Sequence, residues 1–250
     1  MKFGLIGHPI EHSLSPALFK AGYNGRYPYD LIQTPDFDAA WQRFLDGYDG
    51  INVTAPFKEL AFRKADILSE ECVQIGATNL LIKTPEGIKA YNSDFLGVRL
   101  WISQIAANMP ELPSVLIVGL GGAGKAAAEA AKSLGCRTFL MNRTRFNEDI
   151  MPLEDFCLRF SEADIIIYNI PVAIPEISSL FSVAHDGKKH ILEANYKNPS
   201  FDTEILKELQ ENGWDIEYHP GQTWLLLQAV TGYELFTGEK PDLSKMTEQI

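Results

Sequence analysis

The sequence predicts an α/β protein built from two α/β domains, and three observations carry that prediction. Short apolar runs alternate with helix-spaced amphipathic stretches along the chain. A proline-marked stretch, Met109-Pro110-Glu111-Leu112-Pro113, separates two halves of different character. The length, 250 residues, is long for one ordinary domain and comfortable for two small ones or one α/β barrel.

The elements follow in order. Lys2 to Gly7 is a short apolar strand stopped by His8-Pro9, and a loop rich in Ser and Pro leads to a helix starting near Pro16, where proline suits a first turn. Tyr29 to Gln33 reads as a second strand, Phe37 to Leu45 as an amphipathic helix, and Gly50 to Val53 as a third strand running into Thr54-Ala55-Pro56-Phe57-Lys58. Asn79 to Lys83 and Ile88 to Ala90 flank Pro85-Glu86-Gly87 as a hairpin, and Leu96 to Ala107 is helical. Beyond the proline stretch, Ser114 to Val118 is a β-branched strand, followed by a glycine loop and an Ala-rich helix to Leu134 that closes at Gly135. Arg137 to Met141, Asp164 to Tyr168 and His190 to Ala194 are further strands, the βαβ pattern of a doubly wound parallel sheet. Trp224 to Phe236 is apolar at helical spacing and is expected to return to the first domain. The boundaries expected are 1–100 plus 222–250 for one domain and 101–221 for the other.

Composition excludes several classes. Lys and Arg number 22 against 33 Asp and Glu, a formal charge of −11. A surface this acidic repels phosphate backbones, so no nucleic-acid partner is expected, while a local basic cluster can still hold a small phosphorylated molecule. At 46% hydrophobic and 22% charged the chain is too apolar for disorder. The cysteines, Cys72, Cys136 and Cys157, are odd in number and far apart, which argues against disulfides. The amino-terminal apolar run is broken early by Gly, His and Pro, unlike a signal peptide, and no stretch nears 18 uninterrupted apolar residues. The expectation is a cytoplasmic globular protein, without membrane attachment, as monomer or homodimer.

Gly119, Gly121 and Gly124 satisfy G-x-G-x-x-G between a strand and a helix, the context that gives the motif meaning. The first glycine makes the turn, the second admits a pyrophosphate to the backbone, and the third lets helix and strand pack closely. This is a Rossmann-type dinucleotide site. An NAD site would place an acid at the end of the next strand; the chain offers Asn142-Arg143-Thr144-Arg145. Guanidinium groups and a hydroxyl suit a 2′-phosphate, so NADP is the expected cofactor, although surface arginines are ordinarily just solvated charges.

Three polar groupings precede the proline stretch. Ser13-Leu14-Ser15 stands before a helix start, where hydroxyls and N–H groups hold an anion or simply cap the helix. Asn52-Val53-Thr54-Ala55-Pro56-Phe57-Lys58 lies at a strand's carboxyl end, the side on which α/β sheets bind ligands. Asn92-Ser93-Asp94 follows, with Asn79 upstream, and Asp94 could serve as a helix cap. Together they offer hydroxyls for a carboxylate or diol, amides for hydroxyls, and a Lys/Asp pair for proton transfer.

These motifs, in this order, resemble the shikimate dehydrogenase family over nearly the whole chain. Ser13-Leu14-Ser15-Pro16 resembles its S-x-S-P loop, residues 52–58 its N-V-T-x-P-x-K signature, Gly76-Ala77-Thr78-Asn79 its G-A-V-N-T segment, and Asn92-Ser93-Asp94 its N-T-D. Residues 119–124 resemble its G-x-G-G-A segment and Asn142-Arg143-Thr144 the N-R-T of its NADP-using members. The resemblance implies reversible reduction of 3-dehydroshikimate by NADPH in a cleft between the domains, within the shikimate pathway to aromatic amino acids. Lys58 and Asp94 would be catalytic. Ser13, Ser15, Thr54, Asn79, Tyr196 and Gln228 would bind substrate with them. Gly119, Gly121, Gly122, Ala123, Gly124, Asn142, Arg143, Thr144 and Arg145 would hold NADP, and no metal is implied. Three positions and one segment depart from the family pattern: Leu80 and Phe95 replace a threonine and a glycine, Asn169-Ile170-Pro171-Val172-Ala173 shortens N-A-T-P-x-G-M, and Trp224 stands for a methionine. The competing readings are a quinate/shikimate dehydrogenase using NAD and an inactive NADP- or shikimate-binding sensor.

Overall fold

A computed structural model of the chain describes residues 1–183 and 187–250. The chain divides into two compact units, Met1–Gly97 with Leu226–Ile250, and Val98–Leu225.

The first unit carries β1 (Phe3–Gly7), α1 (Ser15–Gly22), β2 (Tyr29–Gln33), α2 (Phe37–Gly47), β3 (Gly50–Val53), α3 (Lys58–Lys64), β4 (Ile67–Leu68), α4 (Glu70–Ile75), β5 (Leu80–Thr84) and β6 (Gly87–Tyr91). Its strands form one sheet in the order β2-β1-β3-β5-β6-β4. β1 pairs in parallel with β2 and β3, whereas β5 runs antiparallel to both β3 and β6. β3 is buried at every position, so its four residues read as a continuous apolar strand broken only by Asn52. One face is sealed by a cluster that includes Ile6, Ile32, Phe37, Phe44, Ile51, Val53 and Phe57. Phe57 is 2% exposed and its ring lies 5.4 Å from that of Phe37. That anchor fixes the turn immediately before Lys58.

Two helices pass from one unit to the other. Helix α5 (Ser93–Ala106) leaves the first unit within its own length, and α10 (Gly221–Thr237) returns within its own. The proline stretch 109–113 lies inside the second unit. The sequence places the start of α5 at Leu96, but it begins at Ser93. The reason is local: Asn92 Oδ1 accepts the Phe95 N–H at 3.1 Å, a capping bond that pulls the helix start upstream. α10 likewise starts three residues before Trp224.

The second unit holds β7 (Ser114–Val118), α6 (Gly122–Ser133), β8 (Arg137–Met141), β9 (Ile150–Met151), α7 (Phe156–Glu162), β10 (Ile165–Tyr168), α8 (Glu176–Ser179), β11 (Lys188–Glu193), α9 (Thr203–Glu211) and β12 (Asp215–His219). The strands are all parallel, in the order β12-β11-β10-β7-β8-β9. Numbered from β7, that order is the 3-2-1-4-5-6 arrangement of a dinucleotide-binding sheet, whose reversal falls at β7 and β10. Strands β7 and β10 are buried nearly throughout, as a sheet covered on both faces requires. A final short helix, α11 (Leu243–Thr247), packs against α1 in the first unit. Among the described residues no helix is long and apolar enough to cross a membrane.

Candidate active site

In the first unit the polar residues gather at one end of the sheet. Of the nine buried polar side chains among the described residues, six are Asn52, Thr78, Asn79, Asn92, Ser93 and Asp94. Burying polar groups costs free energy unless each finds a partner, so such a concentration calls for a network.

All six have hydrogen-bond partners. Lys58 opens α3, and its Nζ lies 2.7 Å from Asp94 Oδ2, with side chains 28% and 12% exposed. The alternative role for Asp94, helix capping, falls to Asn92 two residues earlier, which leaves the Asp94 carboxylate directed at Lys58. A pair this enclosed contributes little net stability over an apolar substitute, which points to chemistry as its role. Ser93 donates its N–H to Asn79 Oδ1 at 2.7 Å, and its Oγ lies 3.1 Å from Gln228 Oε1. Asn52 Nδ2 donates to the Asn79 carbonyl at 3.4 Å, and Tyr29 donates its hydroxyl to Asn52 Oδ1 at 2.7 Å. Ser13 and Ser15 face each other with Oγ atoms 3.1 Å apart, and Tyr233 donates to the Ser15 carbonyl. Helix α1 starts on Leu14 without a side-chain cap, so neither serine serves as its N-cap. Thr54 immediately follows β3, its carbonyl accepting the Phe57 N–H at 2.9 Å in the turn that delivers Lys58.

The motifs do not single out Tyr29, Tyr233 or Ser93 as members of this network. Burial pushes the Tyr29 and Tyr233 phenols well above their ordinary range, so both remain neutral donors beside the serine loop. No periodicity marks them. Tyr29 opens a strand and Tyr233 sits far along the last long helix, and only the fold brings them to Ser15.

Gln228 owes its place to a close helix crossing. A β-carbon at Gly97 would lie 2.8 Å from Gln228 N and 2.9 Å from Leu227 C, so only glycine lets α5 and α10 approach this closely. Two of the departures also find places. Phe95 is a first-turn helical residue, 8% exposed, and its backbone is not among those in the left-handed region. Leu80 is fully buried at the start of β5, opposite Asn52.

In the second unit the glycine loop joins β7 to α6. A β-carbon at Gly124 would come within 1.9 Å of the Gly119 carbonyl oxygen, the close helix–strand approach expected of the third glycine. Around Gly121 and Gly122 nothing would meet a β-carbon within 4 Å, and α6 begins on Gly121 with no side-chain cap. A 12-residue helix that starts without a side-chain cap, with room beside Gly121 and Gly122, fits a pyrophosphate. Ala123 belongs to the same first turn. Asn142 ties this loop to the next strand end: its Oδ1 accepts the Leu120 N–H at 3.1 Å while its Nδ2 donates to the Thr144 carbonyl at 2.8 Å. Its carboxamide therefore shapes the loop. Arg143, Thr144 and Arg145 are all exposed, and Arg145 is turned back, donating through Nε to the Ile150 carbonyl at 2.7 Å. On the other side of the turn, Asn169 donates its N–H to the Val118 carbonyl, and Ile170 lies against Gly119. Tyr196 stands three residues beyond β11, 37% exposed, in this unit and outside the network of the first. Trp224, 6% exposed near the start of α10, also belongs to this unit.

Known proteins share both the sequence pattern and the fold. The family model for the shikimate dehydrogenase substrate binding domain matches residues 5–81. A shikimate dehydrogenase (NADP(+)) of Caldanaerobacter subterraneus subsp. tengcongensis is 30% identical, across 99% of this chain and 95% of its own. The shikimate 5-dehydrogenase of Thermus thermophilus, solved in complex with NADP(H) and shikimate, superposes with a TM-score of 0.80 at 26% identity, covering 100% of this chain and 98% of its own. A quinate dehydrogenase of Corynebacterium glutamicum, solved in complex with NAD, shares the fold at a TM-score of 0.79 and 24% identity, covering 100% and 98%. With a relative of that identity spanning essentially its full length, the chain belongs to the shikimate dehydrogenase family.

Proposed function

We propose that this protein is an NADP-dependent shikimate dehydrogenase that reversibly reduces 3-dehydroshikimate to shikimate. The observation that carries the reading is the enclosed Lys58–Asp94 pair, 2.7 Å apart, at the end of a buried polar network whose other groups match a polyhydroxylated carboxylate. Residues 1–100 with 222–250 would take the substrate and residues 101–221 the nucleotide.

The roles follow from the chemistry of each group. Ser13 and Ser15 offer hydroxyls to the substrate carboxylate, with Tyr29 and Tyr233 fixing the loop that presents them. Asn79, Thr54, Gln228 and Tyr196 would hold ring hydroxyls. NADPH, when bound, supplies the hydride. Lys58 gives its proton to the oxygen that develops at C3 and takes one in the reverse direction, while Asp94 fixes the direction in which the ammonium points. Gly119, Gly121, Gly122, Ala123 and Gly124 would cradle the pyrophosphate, with Asn142 shaping that loop, Arg143 and Thr144 facing a 2′-phosphate, and Arg145 bracing their segment through its bond to the Ile150 carbonyl. The setting is a cytoplasmic biosynthetic enzyme.

The test is the absorbance of NADPH formed by purified protein from shikimate and NADP⁺, run beside NAD⁺ and quinate. Turnover with shikimate and NADP⁺ well above the other pairings supports the assignment. Preference for quinate with NAD⁺ would favour the alternative dehydrogenase, and no reduction with any pairing across pH would leave a binding protein.

A further inference from the structure

The far edge of the second unit's sheet carries a cluster that the dehydrogenase reaction does not use. β11 and β12 are parallel neighbours with His190 directly opposite Glu217, and His219 follows two residues on, hence on the same face. One donor atom from each of His190, Glu217 and His219 lies within 4.8 Å of the others. His190 Nδ1 is 3.6 Å from Glu217 Oε2, and His219 Nε2 is 3.3 Å from Oε1. Both nitrogens are shut away from solvent and have no hydrogen-bond partner. Buried polar atoms in that condition are rare because nothing replaces the water they lose.

The setting keeps the rings in place and uncharged. The imidazoles stack with centroids 6.0 Å apart, and the Trp101 indole meets His219 edge-on at 5.1 Å. Burial lowers both histidines below their usual range, against the pull of Glu217. Two neutral imidazoles and a carboxylate are the donor set of a first-row transition metal of borderline softness; calcium and magnesium prefer oxygen alone. Bonds of about 2 Å in a tetrahedron place donors roughly 3.3 Å apart, close to the separations from Glu217 to either histidine.

We propose that His190, Glu217 and His219 bind zinc, clipping β11 to the edge strand β12, with a fourth position left for water. The competing cation is Lys188, whose Nζ lies 2.6 Å from Glu217 Oε2 on a half-exposed side chain that can swing aside. This site stands apart from the dehydrogenase assignment and does not depend on it.

The experiment titrates chelator-stripped protein with zinc chloride against a chromophoric zinc indicator, and repeats it with Co²⁺ for its ligand-field spectrum. The expected result is one equivalent bound in the micromolar range or tighter, with a tetrahedral cobalt signature. His219→Gln and Glu217→Gln should each weaken zinc at least tenfold, with circular dichroism confirming that they fold. Lys188→Ala, an exposed change, should tighten it by removing the competing charge. Replacing two histidines of the first unit, His8→Gln with His12→Gln, should change nothing. Absence of stoichiometric binding, binding undiminished in a His190→Gln/His219→Gln double variant, or zinc held equally or more weakly after Lys188→Ala would overturn the proposal.

Discussion

Substituting Gly97 by alanine tests how the fold places Gln228. The added methyl would meet Gln228 N at 2.8 Å, Leu227 C at 2.9 Å and Gln228 Cα at 3.1 Å, all of them backbone atoms. No side-chain rotation relieves such contacts, so restoring an ordinary 3.4 Å separation moves α10 away by about 0.6 Å. The Ser93 Oγ to Gln228 Oε1 distance, now 3.1 Å, then stretches to roughly 3.7 Å, beyond hydrogen-bond reach. Two energies oppose each other. Alanine gains about 0.8–1.0 kcal/mol in helix propensity, whereas overpacking costs about 1–3 kcal/mol. The clash involves three backbone atoms and prevails, so urea denaturation should show a net loss of about 1 kcal/mol or more. The KM for shikimate should rise several-fold as Gln228 is displaced. Gly47→Ala is the control: it ends α2 with no atom within 4 Å and should gain up to about 1 kcal/mol with KM unchanged. If Gly97→Ala matched Gly47→Ala in stability and retained its KM, the close-crossing argument would be wrong.

Further outcomes concern the remaining parts. Arg143→Ala should raise the KM for NADP⁺ by about tenfold or more while leaving that for NAD⁺ nearly unchanged, because only the 2′-phosphate loses a charge-assisted partner; equal effects on both cofactors in steady-state kinetics would remove Arg143 from phosphate recognition. Asn92→Ala should lower unfolding free energy by about 1–2 kcal/mol in chemical denaturation, since it removes the Phe95 cap and strands the Ala77 carbonyl. A loss below about 0.5 kcal/mol would contradict the capping role. Cys72 is fully buried and burial pushes its thiol up to about 11, so it stays protonated and shielded at pH 8. A thiol reagent followed by mass mapping should label it only on unfolding; rapid labelling in the native chain would refute the burial.

Much of the fold is legible in the sequence because the signals are local. Strands Tyr29–Gln33, Gly50–Val53, Ser114–Val118 and Arg137–Met141 have the limits that their apolar runs indicate. The glycine loop declares itself by spacing and context, and the Lys58–Asp94 pair forms as its motifs imply. What escapes reading depends on distant contacts. β4 and β9 are two residues each, too short for any periodicity. β12, Asp-Ile-Glu-Tyr-His, is an edge strand with only two apolar residues, Ile216 and Tyr218, on its core face, too few to mark it by alternation alone. Asn92 cannot be told from Asp94 as a cap without the geometry, and Arg145 looks like Arg143 until its loop folds back on Ile150. The histidine–glutamate cluster is invisible for the same reason: His190 and His219 come from separate strands, and only the parallel register aligns them with Glu217.

In the proposed mechanism Lys58 moves the proton while the rest of the network positions substrate. The most direct measurement is kcat and KM of purified Lys58→Ala for shikimate with saturating NADP⁺, beside the unsubstituted protein. Loss of an acid–base group that touches the reacting oxygen predicts a kcat lower by roughly 10²–10⁴-fold with KM changed only modestly. An unaltered kcat would take Lys58 out of the chemistry and contradict the mechanism.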